Sequence, residues 1–248
     1  MLNHLLGISE NASEHGAQID NLLEFVHWFM LLLFIGWTAF FICTVIRFRK
    51  KRNPQANYHG VKTRLATHLE VGVVITEAVL LFGFAFPLWA KQAKKFPSTR
   101  DAVQVRAIGQ QFGWNFHYPG PDNQFGKGDP DLVTAANPLG LDYDNDPAAK
   151  DDIVNYNEMH LPLDKPAIVY ISSKDVIHNY DLPNMRISQD AIPGTSVPVW
   201  FTPTRVGEFE IVCAQLCGQG HYNMKGLLVI DKAEDFEAWL KEKTAVTQ

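Results

Sequence analysis

The chain has 248 residues, of which 46% are hydrophobic and 20% charged, with a formal net charge of -5 at pH 7, three cysteines and nine histidines. That length allows one large or two small domains, and an acidic balance gives no basic footprint for a nucleic acid, so no nucleic-acid partner is expected. The mean hydropathy of -0.10 averages two very different halves, an apolar N-terminal part and a polar remainder.

Residues 1 to 20 contain Glu10, Glu14 and Asp20 and no Lys or Arg. From Phe25 to Ile46 the chain runs 22 residues without a charge, long enough to cross a hydrocarbon core as a helix. Val71 to Ala90 is a second such run, broken only by Glu77. Trp28, Trp37 and Trp89 are candidates for the interfacial belt, and Cys43 reads as a small buried hydrophobe. Between the runs lie Arg47, Arg49, Lys50, Lys51, Arg52, Lys62 and Arg64, with no acid before Glu70. Lys91, Lys94 and Lys95 follow the second run and weaken this asymmetry without reversing it. The positive-inside rule therefore places the connecting loop in the cytoplasm and both termini outside. No cleaved secretory signal is expected, since no h-region with a small-residue cleavage site precedes the first run. The organisation predicted is an extracytoplasmic segment over 1–24, a two-helix transmembrane hairpin over 25–95 and an extracytoplasmic domain over 96–248.

Within the second run, an ionised Glu77 costs roughly 2.5–3.5 kcal/mol near a helix centre, so it is expected to be neutral or to face protein. Glu70, seven residues earlier, falls on nearly the same helical face at the cytoplasmic edge. His27, in the first run, reads as packed against a partner helix.

Beyond Phe96 the texture changes to short β-type runs punctuated by Gly and Pro. Val103 to Gly109, Ala167 to Ser172, Val197 to Thr202, Glu208 to Val212 and Gly226 to Ile230 read as strands, with no long amphipathic helix between them. This is the pattern of a Greek-key sandwich or barrel. Glu234 to Leu240 has helical spacing and is expected to cap the domain. Residues 119–164 fit no strand pattern and carry ten acids against Lys127 and Lys150. They read equally as a solvated excursion or as a negative field that steers a basic partner.

The densest chemistry lies in Cys213-Ala-Gln-Leu-Cys217-Gly-Gln-Gly-His221-Tyr-Asn-Met224. Thiolate and thioether sulfur suit Cu(I), imidazole suits both copper oxidation states, and a Met beside Cys and His argues against zinc. Two thiolates four residues apart reach one point and can bridge two ions, which leaves one ion short of an imidazole. Asp175-Val-Ile-His178, followed by Asp190-Ala-Ile-Pro193-Gly194, supplies a candidate. A Cys213–Cys217 disulfide and a surface His178 are the alternative, but they explain neither Met224 nor His221.

On these motifs the chain resembles subunit II of the haem-copper cytochrome c oxidases, from the first apolar run to the C-terminus. The resemblance implies a cupredoxin-like domain behind a helical hairpin, and a dinuclear CuA centre. His178 and His221 would be its imidazole ligands, Cys213 and Cys217 its bridging thiolates, Met224 its weak thioether ligand and the Gln215 carbonyl the sixth donor. It further implies electron transfer from cytochrome c to haem in subunit I, O2 reduction coupled to proton pumping, contact with other oxidase subunits and lipid, and residence in a bacterial plasma membrane.

Electrons reach the family's centre through a Gly-x-Gln-Trp-x-Trp segment, which here reads Gly109-Gln-Gln-Phe112-Gly-Trp114. Phe112 replaces the first Trp and inherits its role, or is simply a packed strand aromatic. Gln215 stands where most members have a Glu that helps bind magnesium, and a neutral amide is a weaker ligand for a hard cation. Glu70 matches the acid at the mouth of a proton channel into subunit I, or is an interfacial carboxylate. Asp175 aligns with a docking acid, and the 119–164 segment is longer than is usual in the family. No Cys-x-x-Cys-His occurs, so the donor cytochrome is a separate protein. The quinol-oxidase branch lacks the copper ligands. A membrane-tethered copper-binding or copper-delivery protein is the alternative function, although delivery favours fewer, exchangeable ligands.

Overall fold

In the computed structural model, which describes residues 2–55, 58–59 and 63–247, the chain divides into two compact units. One comprises Met1–Ile8 with Gln18–Gln92, and the other Ser9–Ala17 with Ala93–Gln248. Lys62 of the basic connection lies outside the described residues.

The first unit is dominated by two helices, Gly16–Arg47 and Leu65–Lys94, both long and apolar enough to cross a membrane. At 1.5 Å per residue they extend about 45 Å or more, against a hydrocarbon core of about 30 Å. Several of their polar side chains bond to their own backbone. His27 Nδ1 lies 2.7 Å from the Leu23 carbonyl, Thr44 Oγ1 donates to Phe41 O and Thr76 Oγ1 to Gly72 O. Such local bonds satisfy groups that a lipid environment cannot. The second helix widens into a π-turn over Leu80–Ala85, where the Phe86 N–H reaches Leu81 O. Pro87, just beyond, has no N–H to give and crowds the carbonyl four residues earlier, which is where the helix departs from regular geometry. Cys43 is exposed on the first helix rather than buried.

The second unit is an all-β, cupredoxin-like sandwich. Its strands are β1 (Val103–Gln110), β2 (Gly113–Tyr118), β3 (Ile153–Tyr156), β4 (Glu158–Pro162), β5 (Ala167–Ser173), β6 (His178–Leu182), β7 (Ile187–Ala191), β8 (Val197–Phe201), β9 (Gly207–Cys213) and β10 (Lys225–Asp231). They form two five-stranded sheets in the orders β3-β2-β1-β5-β8 and β4-β10-β9-β6-β7. The pairs β1–β5 and β4–β10 are parallel and the rest antiparallel. Trp114, Phe116, Met159, Ile171, Tyr180 and Leu228 fill the space between the sheets, as the period of two along each strand requires. Ala233–Thr247 forms the C-terminal helix, whose Trp239 stacks on His160 at 4.3 Å.

Two features depart from the sequence-based expectation. The 119–164 segment contains β3 and β4, and Phe125, Gly126 and Asp152 fold down on the outer face of β2, whereas residues 127–136 are exposed. His117 on that face pairs with buried Asp152 at 2.6 Å and packs edge-on against Phe125 at 5.0 Å. Asp152 also accepts the Gly126 N–H, and Arg106 lies 4.2 Å over the Phe125 ring. This cover explains why all six residues of β2 are buried, where a half-exposed strand would alternate. Several of the acids serve turns: Asp122, Asp129, Asp142 and Asp146 each accept a backbone N–H two or three residues on, the local bond that suits Asp to such positions.

The second departure is at the N-terminus, where residues 9–17 belong to the β unit. Ala12 is fully buried, its N–H donating to Asn184 O and its carbonyl accepting from Thr204 N. Ser13 Oγ donates to Met185 O at 2.9 Å, Arg186 Nη2 to Ser9 O at 2.6 Å, and Arg205 pairs with Glu10. These bonds make the segment a strap across the turn after β6 and the loop after β8.

Candidate metal centre

The last residue of β9 is Cys213 and the first of β10 is Lys225, paired in register through Val212 and Lys225. The intervening loop is thus clamped at both ends by one hairpin, with Cys213 N–H donating to Met224 O. His178 opens β6, the strand beside β9. Sheet order therefore brings the two sequence motifs together.

Cys213 Sγ and Cys217 Sγ lie 3.8 Å apart, too far for a disulfide at about 2.05 Å, and both are free thiols. Cys213 Sγ is 3.9 Å from His178 Nδ1 and 3.2 Å from the Gln215 carbonyl. Cys217 Sγ is 3.7 Å from His221 Nδ1 and 3.7 Å from Met224 Sδ. Each sulfur is thus flanked by one imidazole and one further donor. Two donors held tetrahedrally about 2.3 Å from a common ion are themselves about 3.8 Å apart, so these separations fit a metal-binding set. Among the described residues, His178, Cys213 and Cys217 form a buried group of metal-binding spacing. Burial first, and then Cys213, push the Cys217 thiol up to about 11, so a metal must displace its proton to bind.

His178 is fully buried, and its Nε2–H donates to Asp175 Oδ1 at 2.8 Å. That bond leaves Nδ1 with its lone pair turned toward Cys213, the carboxylate–histidine arrangement found behind metal-ligating imidazoles. Asp175 accepts in addition from Gln111 N at 2.7 Å and Val176 N at 2.7 Å. Burial raises its pKa, but these bonds outweigh burial and hold the carboxyl below the ordinary range. The carboxylate taken from sequence for a docking acid is thus engaged within the fold. Trp114 backs His178, edge-on at 6.0 Å. Gly109 makes room for both, since a methyl group there would sit 2.9 Å from the His178 ring and 3.2 Å from Trp114.

Phe112, on the β1–β2 turn, lies over the metal loop with its ring against Gly218 and Gly220. It is 37% exposed, and Leu216 and Tyr222 of the 213–224 loop are exposed 77% and 90%. Gln215 is exposed. Glu70 and Glu77 both lie on the second long helix, exposed and away from this site in sequence and in unit. Asp175 as the partner of His178, Gln111 and the glycines at 109, 218 and 220 were not assigned this role from sequence. The Asp three residues before the His was the one available sign.

A family model described as cytochrome c oxidase subunit II, periplasmic domain, matches residues 103–232. The alternative cytochrome c oxidase subunit 2 of Bradyrhizobium diazoefficiens is 34% identical over 226 residues, spanning 91% of this chain and 80% of that relative. Cytochrome c oxidase subunit 2 of Cereibacter sphaeroides is 28% identical over 250 residues, 95% of this chain and 79% of the relative. The crystal structure of the periplasmic domain of cytochrome oxidase subunit II from Bradyrhizobium japonicum superposes with a TM-score of 0.46 and 26% identity, over 62% of this chain and 100% of that one. The chain belongs to the cytochrome c oxidase subunit II family and is, as such, a component of a haem-copper oxidoreductase complex with other subunits.

Proposed function

We propose that the β unit holds a dinuclear copper centre of the CuA type and that the chain is the electron-accepting subunit of its oxidase. The observation that supports this most is the paired donor set, in which each of two sulfurs 3.8 Å apart has its own imidazole. In this reading Cys213, Cys217, His178 and His221, with Met224 and the Gln215 carbonyl, would hold the copper. Soft sulfur with imidazole favours copper over the harder divalent ions. When bound, such a centre supplies one-electron redox chemistry, accepting from a c-type cytochrome and passing on to haem in subunit I, where O2 reduction is coupled to proton pumping.

The chain's own residues prepare that transfer. The β9–β10 hairpin and β6 fix the donors from opposite ends, so little geometry has to change with charge. Phe112, with Leu216 and Tyr222, offers the apolar contact on which a cytochrome docks and from which water is excluded. The acids of the 119–164 excursion add a long-range attraction for a basic donor. Glu70 is proposed to stand at the mouth of a proton path into subunit I. The hairpin over 25–95 crosses a bacterial plasma membrane with the basic connection in the cytoplasm and the β unit outside, in contact with lipid. Magnesium forms no part of this proposal.

Copper stoichiometry and the EPR spectrum of the purified full chain test the reading. Two coppers per chain with a hyperfine pattern from two equivalent nuclei are expected. One copper with an isolated-ion spectrum, or readily exchanged Cu(I) alone, would overturn it and favour copper delivery.

A further inference from the structure

Gln111 supplies no candidate donor atom, yet it is bonded to both segments that do. Its backbone N–H donates to Asp175 Oδ2 at 2.7 Å, and Asp175 Oδ1 accepts from His178. Its side-chain Nε2 donates to the Cys217 carbonyl at 2.6 Å, a link across 106 residues of sequence. The amide is seated in a shaped recess: Gly218 has φ +141°, and a methyl group there would come within 2.7 Å of Gln111 Nε2. Gly220 is similarly cleared for the Phe112 ring. A hairpin turn needs no side-chain bond to a distant loop. The neighbouring Gln110 shows the ordinary pattern, its Oε1 meeting the exposed amine of Lys174.

We propose that Gln111 is a positioning residue, a cross-tie that holds the cysteine-bearing loop against the His178 connection and keeps the two sulfurs spaced for a metal pair. The tie acts at Cys217, whose carbonyl it fixes from outside the ring of donors, so that the thiol on the same residue keeps its direction toward Cys213 and His221. It also sets Phe112, the next residue, on the glycine-cleared face of the loop. The last part of the role rests on the copper reading given above, whereas the mechanical part does not.

The test compares the full chain in detergent with Gln111→Met and Gln111→Glu, both close in size and without the donor, and with Gln110→Met as control. In the metal-free protein, amide exchange over residues 213–224 is expected to accelerate about tenfold in both Gln111 variants, as follows from losing one charge-free hydrogen bond that ties the loop to the β1–β2 turn. Exchange in β1, β5 and β10 should stay unchanged. After copper loading, loss of copper to a chelator is expected to be about tenfold faster, with an altered copper hyperfine splitting, the size of effect seen when groups behind metal ligands are removed. The Gln110 variant should match the wild type in every readout. Wild-type exchange and chelator rates in the Gln111 variants would overturn the proposal, as would a general rise of exchange through the whole sandwich, which marks a merely structural residue. A wild type that binds a single isolated copper would overturn the dinuclear reading, while the exchange comparison would still decide the cross-tie.

Discussion

Gly109 shows how closely the candidate centre is packed. A methyl group there meets the His178 ring at 2.9 Å and the Trp114 ring at 3.2 Å, and neither ring has space to retreat because both are fully buried. Gly109→Ala is therefore expected to destabilise the β unit by about 1–3 kcal/mol and to weaken copper binding, checked by thermal melting and by competition titration. Asp175 separates two roles by experiment. As the partner of His178, its removal in Asp175→Ala should lower copper affinity about 10–100-fold. Were it only a docking acid, the variant would instead keep its copper and raise the KM for cytochrome c. The geometry favours the first outcome, since the carboxylate already accepts hydrogen bonds from Gln111, Val176 and His178 within the fold.

At the scale of elements, the acidic excursion is a folded cover whose anchor is Asp152. Asp152→Ala leaves the His117 ring and the Gly126 N–H without their acceptor, at about 1–3 kcal/mol for each buried group. A lower melting temperature of the full chain, with the copper spectrum preserved, is the expected result. The strap makes a parallel prediction: Ala12→Arg forces a charge into a fully buried position and should cost more than about 2 kcal/mol, or roughly 4–8 °C in Tm at this size. Five strands were legible because Val, Ile and aromatic residues alternate in them. Of the other five, β2 showed only as the packed aromatics Trp114 and Phe116, and β3, β4, β6 and β7 read Ile-Val-Asn-Tyr, Glu-Met-His-Leu-Pro, His-Asn-Tyr-Asp-Leu and Ile-Ser-Gln-Asp-Ala, short and polar enough to pass for loop. Their strand character comes from sheet neighbours, as β propensity commonly does. The ligand types were legible because Cys, His and Met are scarce and clustered. Their supports were not, since Gln111 reaches Cys217 across 106 residues and Arg186 reaches Ser9 across 177.

For the whole molecule, the proposed function divides the work of meeting a donor between charge and apolar surface. In that proposal the net charge of -5 and the acids over 119–164 act at long range, whereas Leu216, Tyr222 and Phe112 act on contact. Oxidation of a basic cytochrome c by the assembled oxidase is therefore expected to slow as ionic strength rises, because exposed charges are screened beyond about 8 Å at physiological salt. A rate indifferent to salt would assign docking to the exposed apolar side chains alone.

The strap also carries a consequence of parity. One folded unit contains residues from before the first long helix and residues from after the second, and a closed domain has a single address. A chain that leaves such a unit and returns to it on the same side of a bilayer crosses an even number of times. An odd count would strand Ala12 and Ser13 across the membrane from Asn184, Met185 and Thr204, their partners. In the membrane arrangement proposed above, the domain thus acts as an arithmetic check on its own insertion: only a chain whose two flanks emerge together can finish folding.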